Sequence, residues 1–302
     1  MELVEFAAKI GTMVQEKMGS GYAISNHQVR KNNGIVLNAI TIRTEESNIA
    51  PSIYIEHFYD EVESGSKSMD EVAGEICETY EQNDHPLGFD VNSFIDFGSV
   101  KDRVIYRLVN YEKNMDELAD MPHDRYLDFA IIYCVLVPMG EMGATGTIMV
   151  TNDHLTMWGI GKLELVEMAD RNTPRLLKSE LVSMENMLIS MLLGEDTASD
   201  NSGLLPPGSA MYVLSNRSKM NGASCLLYPG LLAQIADYWG RDFYVLPSSI
   251  HETILIPDDK KMDPVALTNM VKEVNSSQLL PSEVLSDHAY FYSKSEKMLM
   301  AA

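Results

Sequence analysis

Ser248, Ser249, His251 and Glu252 stand together in the run Asp242-Phe-Tyr-Val-Leu-Pro-Ser-Ser-Ile-His-Glu-Thr-Ile-Leu-Ile-Pro257, where serine, histidine and carboxylate crowd closest. These are the residue types of acyl transfer: a histidine takes the proton of a serine hydroxyl, and an acid orients the imidazole. Spacing decides how much of that the run can build. As a strand, it sends Ile250, Glu252, Ile254 and Ile256 to one face and His251, Thr253 and Leu255 to the other. Ser249 and His251 then share a face while Glu252 leaves it, so a dyad is the most the run offers. The chain has no Gly-x-Ser-x-Gly elbow to hold a strained nucleophile. A turn serine beside a sheet histidine is the plainer reading.

Metal chemistry has a thinner basis. Most histidines touch an acid in sequence, as in Glu56-His57, Asp84-His85, His123-Asp124, Asp153-His154 and Asp287-His288, but no His-x-x-x-His spacing occurs. No metal or cofactor is expected. Gly140-Glu-Met-Gly-Ala-Thr-Gly146 has the look of a phosphate loop. It leads into the strand-like Thr147-Ile-Met-Val150 rather than a helix, so it reads as a hairpin loop. Anion binding has weak candidates in Arg30 and Lys31, and in Arg103 and Arg107 with Lys101. Arg217 and Lys219 form a third small group of bases, and ion pairing with nearby acids is the ordinary use of all of them.

The elements that must position these residues read as α+β: antiparallel hairpins or a mixed sheet packed with amphipathic helices. Leu3, Phe6, Ala7, Ile10, Met13, Val14 and Met18 keep helical spacing, and Gly19-Ser-Gly21 stops that helix. Ile35 to Ile42 reads as a strand, Ser68 or Asp70 as a helix cap, and Leu127 to Val137 as a central strand. Val100 to Asn110 fits helix and strand equally. Thr151 caps a further helix that Pro174 is expected to end, and Ser179 or Ser183 opens a methionine-rich helix to Leu193. Residues 194–208, rich in Gly, Ser, Asp and Pro, read as a linker or mobile loop. It divides an N-terminal α+β region, 1–193, from a C-terminal one, 209–302. In the latter, Leu231 to Trp239 is a helix, a hairpin follows over 243–256, and Asp263-Pro264 caps another helix. His288 to Tyr292 is a strand, and 293–302 a loose tail.

The totals narrow the classes. A chain of 302 residues, 45% hydrophobic, can bury a substantial core. Its formal charge of -21 opposes direct binding to nucleic-acid phosphates. No apolar run is long enough for a membrane span. The acidic start and the widely spaced Cys77, Cys134 and Cys225 point to a cytoplasmic protein with reduced thiols.

Several runs resemble an uncharacterised family, common in gut bacteria of the clostridial group and known only as a domain of unknown function. They are Val29-Arg-Lys-Asn-Asn-Gly34, Pro51-Ser-Ile-Tyr-Ile55, Val100 to Asn110, Pro122-His-Asp-Arg-Tyr-Leu-Asp128, Asn172-Thr-Pro-Arg-Leu176, Met211-Tyr-Val-Leu-Ser-Asn216 and Leu246-Pro-Ser-Ser-Ile-His-Glu252. The resemblance implies a bacterial cytoplasmic protein and no particular activity. Together these readings lead to a non-enzymatic protein that binds another protein, and its charge admits a basic partner. The alternatives are a hydrolase or metal-assisted enzyme at His251 with Ser249 or Glu252, and an acidic inhibitor that mimics nucleic acid. The oligomeric state is left open.

Overall fold

A computed structural model describes residues 1–44, 52–83, 91–139, 144–193, 211–247 and 249–302. The contacts fall into two compact units, Met1–Phe89 with Pro138–Gly146, and Asp90–Val137 with Thr147–Ala302. The expected linker at 194–208 lies outside the described residues, as does Ser248.

The first unit opens with α1 (Leu3–Met18), followed by β1 (Tyr22–Arg30), β2 (Val36–Thr44), β3 (Ser52–Tyr54), α2 (Glu56–Glu63) and α3 (Met69–Asn83). The three strands form an antiparallel sheet in the order β1-β2-β3. Phe6, Ile10 and Val14 of α1 meet Ile40 and Ile42 of β2 and Val72 and Ile76 of α3 in one buried cluster. The helical period of α1 thus sets the face on which the sheet lies. Ser68 caps α3 in a reciprocal arrangement. The Ser68 N–H donates to Glu71 Oε2 at 2.8 Å, and the Glu71 N–H to Ser68 Oγ at 3.3 Å.

The second unit starts with α4 (Val91–Ile95), α5 (Phe97–Val100), β4 (Val104–Asn110), α6 (Met115–Leu118), β5 (His123–Tyr126), β6 (Phe129–Met139) and β7 (Ala144–Met149), except that the last residues of β6 and the first of β7 fall in the first unit. Then come α7 (Asn152–Trp158), α8 (Lys162–Leu176), β8 (Ser179–Ser183), α9 (Met184–Leu193), β9 (Tyr212–Asn216) and α10 (Leu231–Trp239). It ends with β10 (Phe243–Leu246), β11 (Thr253–Pro257), α11 (Pro264–Ser277), β12 (Tyr290–Ser293) and β13 (Met298–Ala301). One sheet runs β13-β12-β10-β11-β9-β8, and the other runs β4-β6-β5 with β7 on β6. Leu267 and Val271 of α11 pack with Tyr244, Leu246 and Ile256 on one face of the long sheet. On the other face, Trp239 of α10 meets the rings of Tyr212 and Phe243. The class is α+β, as the sequence indicates.

Four local readings change. Ser179–Ser183 is a strand paired with β9, so Ser179 opens no helix, whereas Ser183 does start α9, its Oγ accepting the Asn186 N–H at 3.2 Å. Pro174 lies inside α8, which runs on to Leu176. The expected tail forms β13 on β12. The strand expected from Ile250 begins only at Thr253, so the alternation assumed for residues 250–252 does not apply.

Two polar devices tie the second unit together. α8 covers the free edge of β4: Asn172 Nδ2 donates to the carbonyls of Lys101 at 2.8 Å and Val104 at 3.1 Å, and Thr173 Oγ1 accepts the Tyr106 N–H at 3.0 Å. This gives partners to backbone groups that an edge strand would otherwise leave open. Asp128, in the β5–β6 turn, accepts from Ser286 Oγ at 2.7 Å and from the Tyr290 hydroxyl. Burial, with the Asp128 hydrogen bond next in effect, holds the Tyr290 hydroxyl well above the usual phenol range.

Candidate functional site

His251 sits in the loop between β10 and β11, held from three sides. Its N–H donates to Ser249 Oγ at 3.0 Å, its carbonyl accepts from Ser215 Oγ at 2.7 Å, and its Nδ1 accepts the Asn221 N–H at 3.4 Å. An accepting Nδ1 leaves the neutral ring's hydrogen on Nε2, which faces Glu283 Oε1 at 3.9 Å. Both side chains are about one-third exposed, at 38% for His251 and 34% for Glu283. Asn221 has a left-handed backbone (φ 52°), and Gly222 follows it. A Cβ on Gly222 would lie 2.1 Å from Ser215 Oγ and 2.2 Å from the His251 carbonyl oxygen, so this close approach needs glycine.

The expected dyad takes a different form here. Ser249 Oγ bonds the backbone of His251 and not its imidazole, and the carboxylate facing the ring belongs to Glu283 rather than Glu252. This arrangement orients a histidine beside an acid without presenting Ser249 to its ring. Among the described residues, no group of three or more His, Cys, Asp or Glu is placed to hold a metal ion.

The bases are dispersed between the units. Arg30 ends β1, and the Lys31 ammonium lies 4.3 Å from the centroid of the Tyr54 ring. Arg103 donates to the carbonyls of Ser99 at 3.2 Å and Leu136 at 3.4 Å. Arg107 projects from β4, and burial lowers the affinity of its guanidinium for its proton. Lys219 pairs with Glu180. The acids of α3 line a shallow groove of about 630 Å³ with Lys17. Several are already engaged: Asp70 pairs with Lys17 at 2.8 Å, and Glu75 with Lys67 at 2.5 Å.

β1 is different because, among the described residues, no strand pairs with its outer side. The Lys31 N–H donates to the Ile35 carbonyl at 2.7 Å, which fixes the parity of the hairpin ladder. With the register Val29↔Leu37, His27↔Ala39 and Ser25↔Thr41, the odd residues bond to β2. The N–H and C=O groups of Tyr22, Ile24, Asn26 and Gln28 therefore point away from the sheet. Gln15 of α1 fills the start of this edge: its Nε2 donates to the Tyr22 carbonyl at 3.0 Å, and its Oε1 accepts the Ile24 N–H at 3.4 Å. Beyond Ile24, no strand of the described residues pairs with the edge, and Asn26, His27 and Gln28 are exposed.

The model of DUF5688, a family of unknown function, matches residues 3–294. The chain belongs to that family. No curated protein and no solved structure matches it. The DUF5688 match spans both the His251 loop and the β1 edge and assigns an activity to neither. No helix among the described residues is long and apolar enough to cross a membrane.

Sequence reasoning reached His251 but missed Glu283, which lies far along the chain in a segment without a periodic signal. The Asn221-Gly222 pair reads only as a turn. Its second use, supplying an N–H to the imidazole, depends on contacts across the fold. The β1 edge was missed because Tyr22 to Gln28 is polar and shows no strong strand pattern.

Proposed function

We propose that this member of DUF5688 is a non-enzymatic protein that acts by binding another protein, and that a strand of the partner adds to the outer edge of β1. The observation that carries the reading is the run of outward backbone groups from the Ile24 carbonyl to Gln28 on an exposed strand. Tyr22 to Val29 contains no proline, lysine or acid, the usual devices that blunt an edge. Strand addition uses such an edge directly, because main-chain hydrogen bonds supply affinity whatever the side chains. We also read the protein as bacterial and cytoplasmic, a reading supported by its three free thiols, Cys77, Cys134 and Cys225. Photo-crosslinking in the native host tests the function, with the crosslinking residue placed at Gln28 and, as a control, at Lys272 of α11. A discrete adduct from position 28 that is absent from position 272 supports the reading. Equal or absent adducts oppose it.

A second reading is favoured by one observation, the Asn221 N–H that orients His251 with Nε2 towards Glu283. That pair could exchange a proton with a bound substrate. Turnover of ester or amide substrates that is lost in both His251→Ala and Glu283→Gln would favour it, and no turnover would remove it.

A further inference from the structure

We infer that Arg107 binds the carboxylate of a small organic acid with an apolar body, at a site within the second unit. The inference is independent of the β1 edge. Arg107 and His123 both pair with Ile132, so they lie in one row on one face of the β4-β6-β5 sheet. Arg125, in the row of Ala130 and Val109, shares that face. Two of these three bases are engaged. His123 Nδ1 donates to the Met121 carbonyl at 3.0 Å, and Arg125 donates to the Leu127 carbonyl at 3.2 Å and lies over the Tyr111 ring. Among the described residues Arg107 has no such partner, and its Nε is buried without a hydrogen bond. The residue as a whole keeps partial exposure, so the fork is open at its terminal nitrogens.

The surroundings of Arg107 are apolar. It stands between Ile105 and Val109 on its face of β4. Ile105 and Cys134 belong to one buried cluster, Val109 and Ile132 to another, and Met149 packs against both. Burial lowers the proton affinity of the guanidinium, and among the described groups Cys134 alone acts against it. The Cys134 thiol, itself pushed up to about 11 by burial, stays neutral and supplies no counter-charge. Asp124 is on the other face, bonded to Tyr133 and Lys162. α6 lays Leu118 against this face, yet neither of its acids, Asp116 or Glu117, acts on the Arg107 charge. A guanidinium keeps its charge in a protein, and a charge held in apolar surroundings is ordinarily paired. An apolar side chain would fill the same place without that cost, so packing alone does not account for an arginine here. A carboxylate meets the planar fork with two parallel hydrogen bonds, and its single charge balances one base. A phosphate dianion calls for a second cation, whereas His123 and Arg125 are turned to carbonyls.

The test uses the full chain and four probes: hexanoate, benzoate, the neutral hexanamide and inorganic phosphate. Calorimetry should show hexanoate binding about tenfold or more tightly than hexanamide, the difference a charged hydrogen-bonded pair makes. Arg107→Met keeps an apolar stem and removes the fork, and should lose hexanoate binding by a similar factor. Arg107→Lys keeps the charge without the fork and should fall between the two. Circular dichroism checks the fold of both variants. The Arg107 Nε–H resonance of the wild-type chain needs no variant: hexanoate should shift it and hexanamide should not. Undiminished binding in Arg107→Met, or an unmoved Nε–H resonance, overturns the inference and leaves Arg107 as a base that reaches water past apolar neighbours. Tighter binding of phosphate than of hexanoate overturns the carboxylate class. If neither hexanoate nor benzoate binds at millimolar concentration, the site itself falls.

Discussion

Gln15 holds Tyr22 as a neighbouring strand would. Its carboxamide donates to the Tyr22 carbonyl at 3.0 Å and accepts the Ile24 N–H at 3.4 Å, matching the two bonds of a peptide group. One side chain of α1 thereby closes the first step of the β1 edge and stops there. Where that closure ends, at the Ile24 carbonyl, the proposed docking edge begins.

Replacing Gln15 by alanine should remove these part-buried bonds and destabilise the protein by about 1–2 kcal/mol. Urea unfolding measures this. A midpoint equal to that of the wild type would show that water replaces the carboxamide at no cost.

Gly222→Ala is expected to be more damaging. The added methyl meets Ser215 Oγ and the His251 carbonyl well inside contact distance, so the loop must shift at a cost of about 2–4 kcal/mol. The imidazole should move with it, which the His251 ring resonances report by NMR. Unchanged stability together with unchanged resonances would contradict the packing described.

Asn172, only 1% exposed, serves two carbonyls of the segment leading into β4. Asn172→Ala leaves both without that donor and should cost about 2–3 kcal/mol. Faster amide exchange in β4 should accompany the loss. If β4 protection is unchanged, α8 does not secure that edge.

Acid should weaken the fold through Asp124 and Asp287. Burial raises the Asp124 carboxyl, but hydrogen bonds from Lys162 at 2.7 Å and Tyr133 at 2.8 Å outweigh it and hold the group below its usual range. At Asp287 burial again opposes, and Asn275 and Lys113 prevail. A folded-state value below the unfolded one, about 3.9, gives stability that is present above that pH and lost as pH falls through the folded value. Asp124→Asn and Asp287→Asn should each flatten the acid limb of stability against pH. An unaltered limb would remove these groups as its cause.

What the sequence made legible follows from which interactions are local. α1 and α10 were readable because their apolar residues keep helical spacing and glycine ends each one. β8 was not, because Ser-Glu-Leu-Val-Ser acquires its conformation by pairing with β9 across the chain, next to a strongly helical methionine run. β13 likewise depends on β12. Pro174 misleads because its missing N–H costs only one bond near the end of α8, while Asn172 and Thr173 anchor that turn to β4. At the candidate site, His251 is visible as a residue type. Its carboxylate partner, and the open side of β1, exist only in the assembled fold.

Amide hydrogen exchange at Asn26 and Gln28 tests the central claim most directly, because those two N–H groups are the ones a partner strand must engage. In the free protein they should exchange quickly while the amides of Ser25, His27 and Val29, bonded to β2, stay protected. Binding of the partner captured through position 28 should slow Asn26 and Gln28 by about tenfold or more and leave the odd-numbered amides unchanged. Slow exchange at Asn26 and Gln28 in the free chain, or no slowing when that partner binds, would contradict strand addition at β1.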